Sequence, residues 1–567
     1  MIVGIDLGTT NSLAAVWKDG TPQLIPNALG QFMTPSCVSI ADDGQVLIGL
    51  AARERLRSRP EHSAAAFKRH MGTQKQLGLA GRNYRPEDLS ALLLKSLKAD
   101  AEAFLGQEVD EAVITVPAYF NDTQRKATRL AGELAGLKVE RLLNEPTAAA
   151  LAYGLHQAAP ESQFLVFDLG GGTFDVSLME MFSGVMEVRA SAGDNFLGGE
   201  DFVEVLVEGF LEDVGIPGGV DLRSATTLAR LWAEGERVKR ELSLHETAVF
   251  RVQQGRRSLE WTVTSERFER LSAPLLERLR RPVERALRDA KISAKSLSRV
   301  VLVGGSTRMP LVHRLVARMF GRFPSRDIDP DQAIVMGAAI QAGLKARDVA
   351  LDEVVMTDVC PYTLGVEVTE NISAHHTRGG LFLPIIERNT VVPTSRSKTV
   401  FPVREDQAQI DVKVYQGESR EVSDNVLLGD LKVPLPKLSR AQQEVEIRFS
   451  YDINGLLEVE SHIPATGARK SLLIEQSPGS MSASDIQRSR EKLAALKVPP
   501  REQAENRLVL ERLRRLYELH LGERREWVAQ RLLAFEGALQ GQDPREIAHV
   551  RAEITKGLDQ LDGAPLL

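Results

Sequence analysis

The chain has 567 residues, of which 43% are hydrophobic and 26% charged, with a formal net charge of -6 and two cysteines. That length exceeds what one hydrophobic core fills, so several domains are expected, and the ordinary composition excludes long disorder. The negative balance argues against nucleic-acid binding through phosphate neutralisation, and Cys37 and Cys360 lack the spacing of a disulfide frame or a zinc site.

In chain order, short apolar runs at Ile2–Ile5, Ala112–Val116, Phe164–Phe167 and Val300–Val303 read as buried strands, each ending in a turn or a glycine-rich loop. Helical patterns such as Thr123–Ala135 lie between them, giving an α/β arrangement to about residue 350. The opening MIVGIDLG carries no basic segment, and no apolar run reaches membrane-spanning length, so a cytoplasmic protein away from membranes is expected. From about residue 359 the pattern alternates: Ile410, Val412 and Val414 share one strand face, as do Val445, Ile447 and Phe449. Asn454-Gly455 predicts a hairpin with a two-residue turn. From Ser484 onward the chain is charge-rich and helical, interrupted by Pro499-Pro500, with Leu508, Leu510, Leu513 and Leu516 at helical spacing.

Two loops carry the chemistry. DLGTTNS at 6–12 and DLGGGTFD at 168–175 each leave a strand through glycines, which lets backbone N–H groups approach phosphate oxygens, while Thr9, Thr10 and Thr173 add hydroxyls. Asp6 and Asp168, at the strand ends, would hold a hydrated Mg2+ between them, because magnesium keeps most of its water. One such loop alone reads equally as a strand and a tight turn. The pair is stronger, because NEPTAAALAYG (144–154) follows the first and DPDQAIVMGAAIQAG (329–343) the second, both Ala/Gly-rich helices suited to close crossing. The pattern predicts a duplication: two lobes facing across a cleft, one phosphate loop from each. VLVGGSTRMP (301–310) adds a third glycine turn, where Gly304 and Gly305 admit an adenosine and Arg308 stacks on the purine. Glu236, Lys239, Arg240 and Ser243 in ERVKRELS offer polar partners for the ribose and base.

These stretches, together with VPAYFNDTQRKAT and GDNFLGGEDF, resemble in order the motifs of the DnaK-type seventy-kilodalton heat-shock chaperones across nearly the whole chain. The resemblance implies a multidomain protein: an α/β actin-like ATPase domain of two lobes at 1–350, a linker at 351–358, an antiparallel β-sandwich for peptides at 359–480 and an α-helical lid at 481–567. It implies ATP and ADP as ligands, with Mg2+ and K+. Lys68 becomes the lysine that positions the attacking water, where read alone it is a solvated helix lysine. Glu145, Asp168 and Asp175 order water and cations, and Thr173 contacts the γ-phosphate. Gly8, Asn11, Gly170, Gly171, Gly172, Gly198, Gly199, Ser306 and Asp331 fall at nucleotide-contact positions. Pro117, Arg125 and Asp358 relay nucleotide state, although Thr357 stands where relatives end the linker's apolar run in leucine. Slow hydrolysis then controls a lid over extended apolar segments of unfolded polypeptides, with a J-domain cochaperone as partner.

Val366, Phe401, Arg404, Ile410 and Val412 match the peptide cleft; read singly, each is equally sandwich core. TENISAHHTRGG (369–380) is an insertion of about nine residues relative to the family, so the methionine that arches over bound peptide in relatives has no placed counterpart and Arg404 takes the arch's partner position; His375-His376 reads as a polar loop pair. The segment 71–89 and the hairpin 244–262 are short, so the usual exchange factor is doubtful, and the lid is short as well. Together these departures resemble the bacterial HscC branch. Competing readings are a small-molecule kinase or a filament-forming ATPase on the same fold. The kinase would require an aspartate base and has no use for residues 359–567.

Overall fold

The computed structural model describes residues 1–154, 161–182, 185–214, 225–254, 257–325, 327–348, 351, 356–373, 376–404, 407–439, 442–452, 455–474 and 500–562. Linker residues 352–355, His375, Asn454, the stretch 475–499 with Pro499 and the lid boundary at 480/481, and the terminal GAPLL lie outside them.

Two sheets of matching topology form the first part. In the first, the strand order is Lys138–Asn144, Glu111–Val116, Ile2–Asp6, Asn11–Lys18, Thr21–Ile25. In the second, it is Arg299–Val303, Gln163–Leu169, Phe174–Phe182, Val185–Asp194. Ile2–Asp6 pairs antiparallel with the strand that follows it and parallel with Glu111–Val116. Gln163–Leu169 repeats this with Phe174–Phe182 and Arg299–Val303. The two Asp-Leu-Gly turns therefore leave equivalent central strands. The central strands Ile2–Asp6, Glu111–Val116 and Gln163–Leu169 are mostly apolar and buried, as strands covered on both faces are.

The Ala/Gly-rich helices Glu145–Ala152 and Ala333–Lys345 cross at van der Waals distance between the lobes. A Cβ on Gly337 would lie 1.8 Å from the Ala148 carbonyl oxygen, and one on Gly4 2.4 Å from the Ala339 nitrogen. Only glycine fits at these two contacts.

The sandwich has two four-stranded sheets. One runs His376–Ile386, Leu364–Ser373, Gln409–Gln416, Val426–Pro434; the other Thr394–Val400, Val445–Tyr451, Leu457–Ile463, Ala468–Ile474. Val445, Ile447 and Phe449 are fully buried between them. The hairpin after Val445–Tyr451 forms, but not through a two-residue turn: Asp452 donates its N–H to the Leu456 carbonyl at 3.0 Å and Gly455 takes φ 82°, giving a longer loop with a left-handed glycine. The described residues of the insertion lie in paired strands. Its residues extend the arms Leu364–Ser373 and His376–Ile386 up to the Ser373–His376 pair, and the ion pairs Arg378–Glu421 and Arg420–Glu370 staple them to the 417–425 segment.

Helices Ala504–Leu519, Glu523–Gly541 and Pro544–Asp562 form a bundle around Leu513, Val528, Phe535 and Leu558. Leu510 and Leu516 join this core, whereas Leu508 is 62% exposed, because Val509 supplies the inward position. Among the described residues no helix is long and apolar enough to cross a membrane.

Candidate functional site

A cleft of about 1070 Å³ separates the lobes, lined by both Asp-Leu-Gly turns and by the 302–309 turn. Ser36 donates its hydroxyl to the Gly8 carbonyl at 2.8 Å, and Gly8 donates its N–H to Ser12 Oγ at 3.2 Å, which fixes the first turn. The second is tightened by Gly170 N–H on the Thr173 carbonyl at 3.0 Å. The glycines have a steric reason. A Cβ on Gly171 would lie 1.8 Å from Thr10 Oγ1, one on Gly172 2.6 Å from Thr9 Cγ2, and one on Gly198 2.5 Å from Gly171. The two turns thus touch across the lobe boundary.

At the base of the cleft Lys68, 3% exposed, holds Glu145 at 3.0 Å. Asp6, Asp168 and Asp175 are buried around this pair, so four carboxylates face one lysine. Asp6 accepts a hydrogen bond from Thr115 at 2.9 Å, and Asp175 accepts one from the Tyr119 N–H at 3.2 Å. Burial, aggravated by Glu145, pushes the Asp6 carboxyl up to about 7 and that of Asp175 up to about 8. Asp168 is raised well above the usual range by burial and by Glu145, Asp175 and Asp6. Its Oδ2 and the Thr10 hydroxyl are buried without a protein partner. Such a donor set asks for cationic company before it accepts an anion.

The opposite wall comes from the second lobe. Lys239 donates to the Gly199 carbonyl at 3.0 Å and pairs with Glu236 at 2.6 Å. Arg240 bonds the same Glu236 at 2.6 Å, and the two cations hold that carboxylate below its usual range against the effect of burial. Ser243 caps the Lys239 carbonyl, and Ser306 bonds the Gly170 carbonyl at 2.8 Å. A Cβ on Gly199 would meet Ser306, and one on Gly305 would meet Asp331. Gly304 takes φ +81°. Arg308 is half exposed and held by Asp331 at 2.8 Å and Asp329 at 2.5 Å, with its guanidinium at the cleft rim. Asn11 and Thr173 line the cleft too.

Sequence reading missed several groups here. Arg69 reaches Asp201 at 2.5 Å, and Asp201 accepts the Gly198 N–H at 2.7 Å, which braces the second turn from the first lobe. Phe32, Met33 and Arg53 line the mouth. No local pattern marks them, since each acts on a partner far away in sequence.

A path leaves the cleft through Asn144, the neighbour of Glu145. Arg125 donates to the Phe120 and Ala118 carbonyls and, at 2.7 Å, to Asn144 Oδ1. Asn144 in turn donates to Asp358. Pro117 opens the loop whose carbonyls Arg125 holds. Asp358 lies in the strand Met356–Val359, which extends the second-lobe sheet by parallel pairing with Val185–Asp194 and pairs antiparallel with Val391–Val392. Thr357, opposite Glu187, leaves its hydroxyl buried without a partner. The sandwich also contacts the ATPase part directly: Asp122 donates its N–H to Gln416 at 3.0 Å, and Arg388 pairs with Asp289 at 3.0 Å.

In the sandwich, Val366 and Val412 are each 3% exposed and belong to its core, with Ile410 packed against them. Phe401 is 51% exposed and Arg404 lies at the surface. These five residues do not converge on one open surface in this conformation.

Residues 2–532 match the family model described as Hsp70 protein. A chaperone protein DnaK of Thermotoga neapolitana is 44% identical over 490 residues, covering 83% of this chain and 80% of that protein. The DnaK of Thermosipho africanus is 42% identical over 484 residues, covering 83% and 79%. The matched span reaches from the first strand through the sandwich into the helical bundle, which favours neither a small-molecule kinase nor a filament-forming ATPase. The chain belongs to the Hsp70 protein family and is an ATPase that works as an ATP-dependent molecular chaperone.

Proposed function

We propose that the interlobe cleft is where ATP is hydrolysed, and that Lys68, Glu145, Asp168, Thr173 and Asp175 do the work. The observation that carries this reading is the buried Lys68–Glu145 pair at 3.0 Å, ringed by three aspartates directly beneath two glycine turns. Among the described residues Lys68 offers the cation at the cleft base, suited to placing a water and to offsetting charge as the γ-phosphate departs. Glu145 and Asp175 orient that water by accepting its hydrogens, and the Thr10 and Thr173 hydroxyls donate to phosphate oxygens. A hydrated Mg2+ at Asp6 and Asp168, with K+ beside it, would supply the positive charge that these carboxylates and a triphosphate together require. The unpartnered Asp168 Oδ2 and the raised Asp6 and Asp175 carboxyls fit that demand. Glu236, Lys239, Arg240, Ser243 and Arg308 hold the nucleoside.

Hydrolysis is coupled to an extended apolar segment of an unfolded polypeptide, gripped by the sandwich and covered by the helical bundle. Pro117, Arg125 and Asp358 carry the signal, because a ligand shifts such an equilibrium only by binding two states unequally. Val366, Phe401, Arg404, Ile410 and Val412 form the peptide site only in a state where the two sandwich sheets themselves rearrange, since the opposing sheet covers Val366 and Val412 here. The protein acts in the cytoplasm with a J-domain cochaperone. Its short 71–89 and 244–262 segments support fast intrinsic exchange, little use of the usual exchange factor and a specialised branch of the HscC kind. Calorimetry and single-turnover hydrolysis test the core of this: Lys68→Ala should bind ATP yet lose at least about 100-fold in hydrolysis. Undiminished hydrolysis by that variant would remove the reading.

A further inference from the structure

Tyr119 is the point where three bodies meet. It belongs to the first lobe, in the loop after Glu111–Val116. Its N–H donates to Asp175 Oδ1 at 3.2 Å, and its carbonyl accepts from Asn195 Nδ2 at 3.2 Å, both groups of the second lobe. Arg285, on the second-lobe helix Ala273–Ala290, places its guanidinium 5.1 Å from the Tyr119 ring centre. From the sandwich, Tyr362 packs its ring 4.6 Å from the Tyr119 ring and donates its hydroxyl to the same Tyr119 carbonyl at 3.0 Å.

We propose that Tyr362 is a positioning residue for Asp175: its hydroxyl, delivered only when the sandwich docks, fixes the Tyr119 backbone and thereby the carboxylate that faces the phosphates. The proposal rests on the ATPase reading of the cleft. Geometry leaves little slack along this route. A Cβ on Gly193 would lie 2.6 Å from Asp175 Oδ1 and 3.0 Å from Tyr119 Cβ, so a shift of Tyr119 cannot be absorbed by rearrangement behind it. Pro117, two residues earlier, fixes the approach of the chain. The route ends on a different carboxylate from the Arg125–Asn144–Asp358 path, although Arg125 also holds the Ala118 and Phe120 carbonyls that flank Tyr119. Burial pushes the Tyr362 hydroxyl far above its ordinary range, so it remains a donor at every working pH.

Coupling between two sites is reciprocal, so a contact through which docking reaches Asp175 is also one through which ATP reaches the peptide site. The test uses the full chain and a fluorescein-labelled extended peptide with a central leucine run, whose release is followed after mixing with ATP or with ADP. In wild type ATP accelerates release. In Tyr362→Phe, which keeps the ring pair, the ATP-to-ADP ratio of release rates should fall about fivefold, the range expected for one hydrogen bond, while release in ADP and the melting temperature stay at wild-type values. Peptide stimulation of single-turnover hydrolysis should shrink by a similar factor. The proposal is overturned if the ratio is unchanged in Tyr362→Phe, whatever Tyr362→Leu does, or if release in ATP and ADP rises by one common factor, which is the mark of a damaged sandwich. If wild type itself shows no acceleration by ATP, the chaperone coupling fails first and the proposal goes with it.

Discussion

Asn144 donates its side-chain amide to Asp358 while its own neighbour in sequence, Glu145, holds Lys68 at 3.0 Å. One backbone step therefore separates the linker contact from the proposed hydrolytic pair. Asp358 is partly buried, with its carboxyl raised by burial and held partly in check by Arg125, the Val359 N–H and Arg141.

Removing that carboxylate should uncouple the two halves. Asp358→Ala leaves Asn144 Nδ2 without its acceptor and takes the compensating charge from Arg141, a loss on the order of 1.5–3 kcal/mol for a hydrogen bond to a charged group. That is enough to shift a docking equilibrium about tenfold or more. Peptide release triggered by ATP should slow accordingly, and peptide should no longer stimulate hydrolysis. Stopped-flow fluorescence with labelled peptide reads the first, single-turnover hydrolysis the second; retention of both at wild-type levels would show that Asp358 carries no signal.

The mouth of the cleft sets a second expectation. Arg53, on the first-lobe helix Leu50–Ser58, and Arg240, on the second-lobe helix Ala225–Glu241, both line it. Burial, and next to it the charge of Arg240, hold the Arg53 guanidinium below its ordinary value. Like charges across an opening disfavour its closure. Arg53→Glu replaces this opposition by attraction and should slow ADP release about three- to tenfold at low salt, with the difference fading as salt rises. Displacement of labelled ADP at two ionic strengths measures it, and an equal rate in the two proteins at low salt would count against an electrostatic gate.

How far the sequence exposed all this differs from residue to residue. The Asp-Leu-Gly turns were legible because a backbone that must approach phosphate, and a neighbouring turn, tolerates only glycine, and that demand leaves a local signature. Arg69 and Asp201 were not, because their pairing depends on how two lobes face each other across 132 positions in sequence. Val366 and Val412 illustrate a different limit. An alternating strand shows which residues share a face but not whether that face meets the opposing sheet or a ligand, and here the opposing sheet covers both. Leu508 failed on register, since Val509 and Leu510 both satisfy helical spacing and only packing selects between neighbours. The insertion was visible as extra length, but its extended arms depend on charge pairs with residues about 40–50 positions away.

The cleft carboxylates make stability depend on pH. Asp6 and Asp175 rise from an unfolded value near 3.8 to about 7 and about 8. The native state therefore binds more protons than the unfolded chain between those values, and its stability is full below about pH 4 as far as these two groups are concerned and declines as pH rises through 7 to 8. Each group contributes on the order of 1.4 kcal/mol per pH unit inside its window. Nucleotide-free protein should thus melt at progressively lower temperature from pH 5 to pH 8.5. Saturating Mg-ATP brings cations to the same carboxylates, so the rise in melting temperature on adding it should grow with pH. Asp175→Asn should flatten the nucleotide-free profile. A ligand-induced rise that is constant across the range would contradict the placement of these charges beside the metal-bound phosphates.

The helix crossing at Gly337 offers a steric test with an internal control. A methyl at Gly337 would lie 1.8 Å from the Ala148 carbonyl oxygen and 2.4 Å from its carbon, both backbone atoms that no rotamer change can move. Gly337→Ala must spread the helices Glu145–Ala152 and Ala333–Lys345. Overpacking of this kind costs about 1–3 kcal/mol, and more where backbone has to yield. The first residue of the displaced helix is Glu145, so spreading should also draw its carboxylate from Lys68 and lower the hydrolysis rate without a matching loss of ATP affinity. The same substitution at Gly537, in the helix Glu523–Gly541 with open space around the added carbon, has the opposite sign: alanine favours the helix by about 1 kcal/mol. Thermal melts and single-turnover rates on the two variants separate geometry from composition. If Gly337→Ala melted no lower than wild type, the lobes would have to pivot on something other than this crossing.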